Sequence, residues 1–475
     1  MIATPSPHLI RPPAVAGAWY PDDPDDLACL VDRLLDAVNP VDGAPLGLIA
    51  PHAGYAYSGS VAARAFKQMA GIPYDVAVII AADHHPPVSH PISIWARGGF
   101  ATPLGVVPVD EELAQALVSA SFRITFDPDA HAGEHPIEMQ LPFLQRACPG
   151  CAIVPILMGQ GDRHTVNALV EALLAHLGQR RAVIIASSDL SHYPAHKAAV
   201  KADRATLSAL ETGDAALVRQ TMRQVEKAGI PHLVTAACGQ GPIQVALQVT
   251  RGLGADTTTV LGYATSAQAV PDESDRVVGY GAVMMWRYIP PDLTEARQQA
   301  LLAAARAAIA AHLSGKRRPA AVDDPELARR AGVFVTLWRR ARHNHEEPLR
   351  GCIGHMPADR PLAVIVPQVA VSAATEDPRF PPLTLSELEQ IRLEISALSP
   401  PRRVTDLSQI EIGKHGLLIR AGERQGLLLP EVPVHRGWDL DTFLANLYYK
   451  AGLPPNFPLS QAALYAFTAL VFAEA

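Results

Sequence analysis

Five short runs of consecutive apolar, largely β-branched residues, at 46–50, 76–82, 153–158, 183–187 and 258–263, alternate with stretches of helical periodicity in the first part of the chain. A strand that is apolar at every position has no face left for water, so such runs read as interior strands of a sheet covered on both sides. The stretches between them, including 111–119, 165–177 and 201–210, repeat apolar residues every three to four positions, as helices lying on a sheet do. The first half is therefore expected to be an α/β domain, in which ligands gather at the carboxyl ends of the strands.

Those ends are where ionisable residues stand. The first run opens into Pro51-His52-Ala53-Gly54-Tyr55, the second into Asp83-His84-His85, and the fourth into Ser188-Asp189-Leu190-Ser191-His192. Two histidines and a carboxylate at one sheet edge make the facial triad of non-haem iron oxygenases, and imidazole equally suits zinc and copper, so residue types leave the metal open. A further segment, His131-Ala132-Gly133-Glu134-His135-Pro136-Ile137-Glu138, is not the zinc-protease order. Its His135 and Glu138 are assigned acid–base work or support of metal-bound imidazoles. Cys238 precedes a helical run whose backbone N–H groups can lower a thiol pKa.

Net charge is −7 with no dense basic run, which excludes a sequence-independent grip on nucleic acid and leaves small-molecule chemistry. Prolines interrupt the amino end, and no run of about 18 apolar residues occurs, so neither a signal peptide nor a membrane span is expected and the chain reads as cytoplasmic. Five scattered cysteines do not form a disulfide framework. Cys148-Pro149-Gly150-Cys151 has redox spacing but precedes a strand, and a surface turn is expected there.

The Pro290-Pro291 step closes the first half. Residues 292–313 then read as an alanine-rich helix with Leu301, Leu302, Ala305, Ile309 and Leu313 on one stripe. Strand-like pieces at 332–338, 392–398, 416–420 and 426–429, separated by loops, point to an α+β second domain.

The motifs around His52, Glu134-His135, Ser187-Ser188-Asp189-Leu190-Ser191-His192 and Cys238-Gly239, with an early Ala16-Gly17-Ala18-Trp19-Tyr20, resemble, in this order, the signatures of the Memo family over residues 8–289. The resemblance implies an α/β fold like class III extradiol dioxygenases, binding iron or copper through His52, His84 and Cys238, with His192 and Asp189 beside them for proton transfer. The family's usual Gly-Pro-Ser/Asn before the second-strand histidine is here Ala81-Ala82-Asp83, and His85 follows directly. The choice between His84 and His85 therefore stays open, with His84 taken by alignment.

Leu349-Arg350-Gly351-Cys352-Ile353-Gly354, Asp377-Pro378-Arg379-Phe380 and Gly413-Lys414-His415-Gly416 resemble the AMMECR family over residues 293–475. Arg350 and His355 beside Cys352 are expected to favour its thiolate and to form a ligand pocket. Memo-like and AMMECR-like proteins are often encoded with a radical-SAM enzyme, the AmmeMemoRadiSam set. This chain has no cysteine triplet for such a cluster, so a radical-SAM partner would be a separate chain. The expected function is a metal-dependent, dioxygenase-like oxidoreductase acting on a small molecule; the alternatives are a non-catalytic metal- or ligand-binding scaffold for the radical-SAM partner, and a metal-assisted hydrolase.

Overall fold

A computed structural model describes residues 9–84, 91–159, 162–269, 274–340, 347–356, 358–455 and 457–475. The chain divides into two compact units, Met1–Arg287 and Tyr288–Ala475.

The first unit is built on an eight-stranded sheet. Its strands are β1 (Pro45–Ala50), β2 (Val76–Ala82), β3 (Ile92–Ile94), β4 (Ile124–Thr125), β5 (Ala152–Met158), β6 (Ala182–Ser187), β7 (Thr257–Thr265) and β8 (Gly279–Trp286). They lie in the order β7-β8-β1-β6-β2-β5-β3-β4. The central four, β1, β6, β2 and β5, run parallel, and antiparallel strands flank them on each side. Val76 to Ala81 are wholly inaccessible, as are Val183 to Ala186, which is why these strands are apolar at every position. The edge strand β7 is mostly half-buried and correspondingly rich in threonine.

Helix α1 (Tyr55–Phe66) packs on β8, β7 and β1. Helices α2 (Arg163–His176) and α3 (Ala215–Lys227) pack against α4 (Gln240–Gly252), which in turn covers β6, β1 and β2. All five sequence-predicted strands form. The eight-residue β8, the short β3 and β4, and a small sheet of Ile10–Arg11, Gly99–Thr102 and Gly105–Pro108 have no counterpart in the sequence reading. Strands of two to four residues are too brief to show a period.

The second unit is α+β, with two antiparallel four-stranded sheets. One has the order Leu349–His355, Gly332–Arg339, Ile391–Leu398, Ala469–Ala473; the other Arg402–Arg403, Ala463–Phe467, Gly416–Ala421, Arg424–Leu428. Helices Glu295–Leu313 and Leu362–Thr375 join the first sheet in one core, where Leu301, Leu302, Ala305 and Ile309 form the expected buried stripe. Phe443 and Leu447 of helix Leu440–Lys450 pack with Leu417 and Ile419 in a core of the second sheet. Among the described residues no helix is long and apolar enough to cross a membrane.

Candidate metal centre

Parallel strands that end together deliver the residues following them to one place. His52, two residues beyond β1, is 2 % exposed. Its backbone N–H donates to Asp189 Oδ1 at 2.8 Å, and its Nδ1 lies 2.9 Å from Ser187 Oγ at the end of β6. The Ser187 hydroxyl donates to the Pro136 carbonyl at 2.8 Å. With its proton so used, Ser187 accepts from His52 Nδ1–H, which leaves the Nε2 lone pair free to face the cluster. Burial, and then the positive charge possible on His84 and His192, hold the His52 pKa well below its ordinary value.

His84 follows β2, and His135 comes from the loop before the short helix Leu141–Ala147. One ligand atom from each of His52, His84 and His135 lies within 4.8 Å of the others. Their rings are 5.2 to 5.5 Å apart, and Trp19 from the amino-terminal segment packs on His135 at 4.4 Å. The Glu134 carboxylate stands behind two of the three. It accepts the His84 backbone N–H at 2.6 Å, and its Oε2 is 3.7 Å from His84 Nδ1 and 3.8 Å from His135 Nδ1. Burial opposes a charge on His84, but Glu134 outweighs it and raises the pKa; burial and the neighbouring imidazoles push His135 down to about 3. His52 and His135 are thus neutral near pH 7, the form in which imidazole ligates metals. His85 lies outside the described residues.

Cys238 reaches the same place from the other side. Its Sγ is 3.3 Å from His52 Nε2 and accepts the Asp189 backbone N–H at 3.2 Å. The sequence reading gave this thiol a lowered pKa from the helix that follows. Instead burial, reinforced by the Asp189 carboxylate, pushes it up to about 12. Asp189 is buried, which raises its own carboxyl to about 6. His192 sits close enough to Asp189 and His84 to feel their charges; burial lowers its pKa, and its Nε2 is buried without a hydrogen-bond partner among the described residues. The chemistry of this arrangement is that of a cation site: three clustered imidazoles, a thiol in contact with one of them, and a further imidazole beside the cluster.

Comparison with known proteins decides the family. Residues 11–284 match the Memo-like protein model, and residues 302–472 match that of AMMECR1. The chain belongs to the Memo-like protein family. A MEMO1 family protein of Methanopyrus kandleri is 35 % identical over 293 residues, covering 58 % of this chain and 99 % of that protein. One from Thermotoga neapolitana is 35 % identical over 284 residues, covering 57 % and 98 %. A second M. kandleri protein is 43 % identical over 191 residues, 38 % of this chain and 90 % of that one. A crystal structure of an uncharacterized protein from Pyrococcus horikoshii is 39 % identical, covering 37 % of this chain and 89 % of that chain, at a TM-score of 0.35.

Within the Memo domain, Glu138 does not take the proton-transfer place that its spacing suggested. Wholly buried, its carboxylate accepts from Arg11 at 2.6 Å, from the backbone N–H of Ala14 and Val15, and from the Tyr20 hydroxyl at 2.6 Å. It therefore anchors the segment that carries Trp19. Arg11 was not singled out by the sequence reading; it lacks a local signal, because its partner lies 127 positions away. Glu134 belongs to the 131–138 segment that the sequence assigned to acid–base work or to support of metal-bound imidazoles, and it stands in the supporting place. The Cys148–Cys151 turn lies at the surface, with Pro149 and Gly150 exposed and the two cysteines buried beneath it, and a hydrogen bond from Cys151 lowers the Cys148 pKa.

In the AMMECR1 domain the expected thiolate pocket does not assemble. Arg350 pairs with Glu387, and His355 pairs with Asp359 at 2.7 Å. Arg379 lies nearer Cys352 but is held by Asp377, and burial raises the Cys352 pKa. The thiol accepts from Thr336 Oγ1 at 3.3 Å, and its backbone N–H donates to Asp377 at 2.8 Å.

Proposed function

We propose that the Memo domain is a metal-dependent oxidoreductase of the non-haem type, holding iron or copper through His52, His84 and His135 with Cys238 in reach, and acting on a small molecule. The carrying observation is the three-imidazole cluster at the carboxyl ends of parallel strands, two of whose members are neutral near pH 7 and one of which, His84, is exposed. The metal would supply a Lewis acid and a site for dioxygen or substrate. Ser187 fixes the His52 tautomer, Glu134 backs His84 and His135, and Trp19 covers one side of His135. His192 Nε2, without a partner among the described residues, is placed to hold or pass a proton at the edge of the cluster. The resemblance to class III extradiol dioxygenases agrees with this placement at strand ends, and we assign the radical-SAM enzyme as a separate partner on the family resemblance alone.

Metal analysis of protein purified with and without air, together with oxygen uptake over a panel of phenolic substrates, tests the reading. Stoichiometric iron or copper with substrate-dependent uptake supports it; metal content unchanged in His52→Ala overturns the site. A second reading, metal-assisted hydrolysis, draws on the all-imidazole set, which also suits zinc with an open fourth position; zinc as the resident metal without oxygen uptake favours it.

A further inference from the structure

Away from the metal cluster, helices α2, α3 and α4 enclose a cavity of about 250 Å³ on the first unit. Three arginines line it, Arg163 from the start of α2, Arg219 from α3 and Arg251 from the end of α4. Their guanidinium groups make no ion pair or hydrogen bond among the described residues. Arg163 and Arg251 are exposed and Arg219 half-buried, and three guanidinium groups around one cavity concentrate positive charge there.

The acid in the wall is Asp214, the N-cap of α3. Its Oδ1 accepts the backbone N–H groups of Ala216 and Leu217, so it is committed to the helix end rather than to the arginines. A second observation comes from Gln244. It is 5 % exposed, lines the same cavity, and its side-chain Nε2 is buried with no hydrogen-bond partner among the described residues. A buried amide donor left unmet is costly unless a ligand meets it. Val166 and Leu247, both buried, supply apolar wall. Outside, Arg219 continues into a stripe with Arg223 and Lys227 along α3, bordering a neighbouring cavity; like charges at this spacing repel unless something neutralises them.

We propose that this cavity binds the phosphate group of a small phosphorylated molecule, with Arg163, Arg219 and Arg251 pairing the oxygens, Gln244 donating from the floor, and Val166 and Leu247 against the organic part. The planar guanidinium matches phosphate in two-point contact, and the size fits a small metabolite rather than a polymer. None of these residues belongs to the metal cluster, so the site stands independently of the function proposed above.

The test is calorimetric titration of inorganic pyrophosphate into the full-length His52→Ala chain in the presence of a chelator, which silences the metal cluster. One saturable site is expected, with no comparable binding of sulfate at matched ionic strength. The Arg219→Gln/Arg251→Gln double variant is expected to weaken binding at least about tenfold. Gln244→Met is expected to weaken it several-fold while raising the melting temperature of the unliganded chain, because it removes an unmet buried donor. Pyrophosphate heats equal to those of sulfate, unchanged affinity in the double variant, or tight binding of a single-stranded oligonucleotide without pyrophosphate binding would each overturn the proposal.

Discussion

His52 Nε2 and Cys238 Sγ lie 3.3 Å apart, although the three ligand atoms that converge most closely belong to His52, His84 and His135. His52 is thus common to two overlapping donor sets, and the remaining residues distinguish them. His52→Ala should abolish stoichiometric metal. His135→Ala should lower affinity at least about tenfold, whereas Cys238→Ala, which removes a donor outside the three-imidazole group, should retain bound metal with an altered cobalt-substituted absorption spectrum. Metal analysis of the three purified variants checks this; loss of metal in Cys238→Ala together with full retention in His135→Ala would reverse the assignment.

That overlap also shows how far a site can be read from sequence. His52, His84, Asp189 and His192 follow strands whose apolar runs are continuous, so their convergence follows from the rule that parallel strands end together. His135 comes from a loop with no periodic signal, and only packing brings it to the cluster. Glu138 carries a carboxylate at a suggestive spacing, but its role is set by Arg11 and Tyr20, both more than a hundred residues away in the chain. In the second unit, proximity along one strand put Arg350 and Cys352 together, yet Arg350 is spent on Glu387. Strand and helix positions were legible because period is local; ion-pair partners were not, because tertiary packing chooses them.

The Arg11–Glu138 pair should behave as structure. Glu138→Ala leaves a buried guanidinium without its carboxylate and frees the segment bearing Trp19, at a cost of about 3–5 kcal/mol. Replacing both partners with methionine should recover much of that loss. Urea denaturation measures the stabilities. The folded fraction of Glu138→Ala should still bind metal; a stable variant lacking it would instead return Glu138 to the site.

Asp203 makes stability depend on pH. Burial raises its carboxyl from 3.8 to about 6, although the Tyr263 hydroxyl and the Ser191 backbone N–H both donate to it. The folded state therefore holds this proton more tightly than the unfolded chain. The contribution is fully present below about pH 4 and is lost as pH rises through about 6, a difference of up to about 3 kcal/mol. Urea midpoints between pH 4 and 7 should fall more steeply for the wild type than for Asp203→Asn; parallel profiles would show that Asp203 ionises normally.

Gly239 joins Cys238 to α4, and its importance lies in what is missing from it. A Cβ there would stand 2.6 Å from Ser188 Cβ and 2.7 Å from the Ser187 carbonyl oxygen, while the Gly239 backbone N–H donates to Ser188 Oγ at 2.9 Å. The close approach holds Cys238 against the strand end that also orients His52 through Ser187. Gly239→Ala must part these segments, an overpacking expected to cost about 1–3 kcal/mol and to weaken metal binding. Gly229→Ala is the control: Gly229 has φ 69 and nothing within 4 Å of its missing Cβ, so the substitution strains only the backbone. Metal titration with urea denaturation of both variants separates the effects. Affinity should fall in Gly239→Ala alone; an equal fall in Gly229→Ala would trace the loss to general destabilisation rather than to the contact between Gly239 and Ser188.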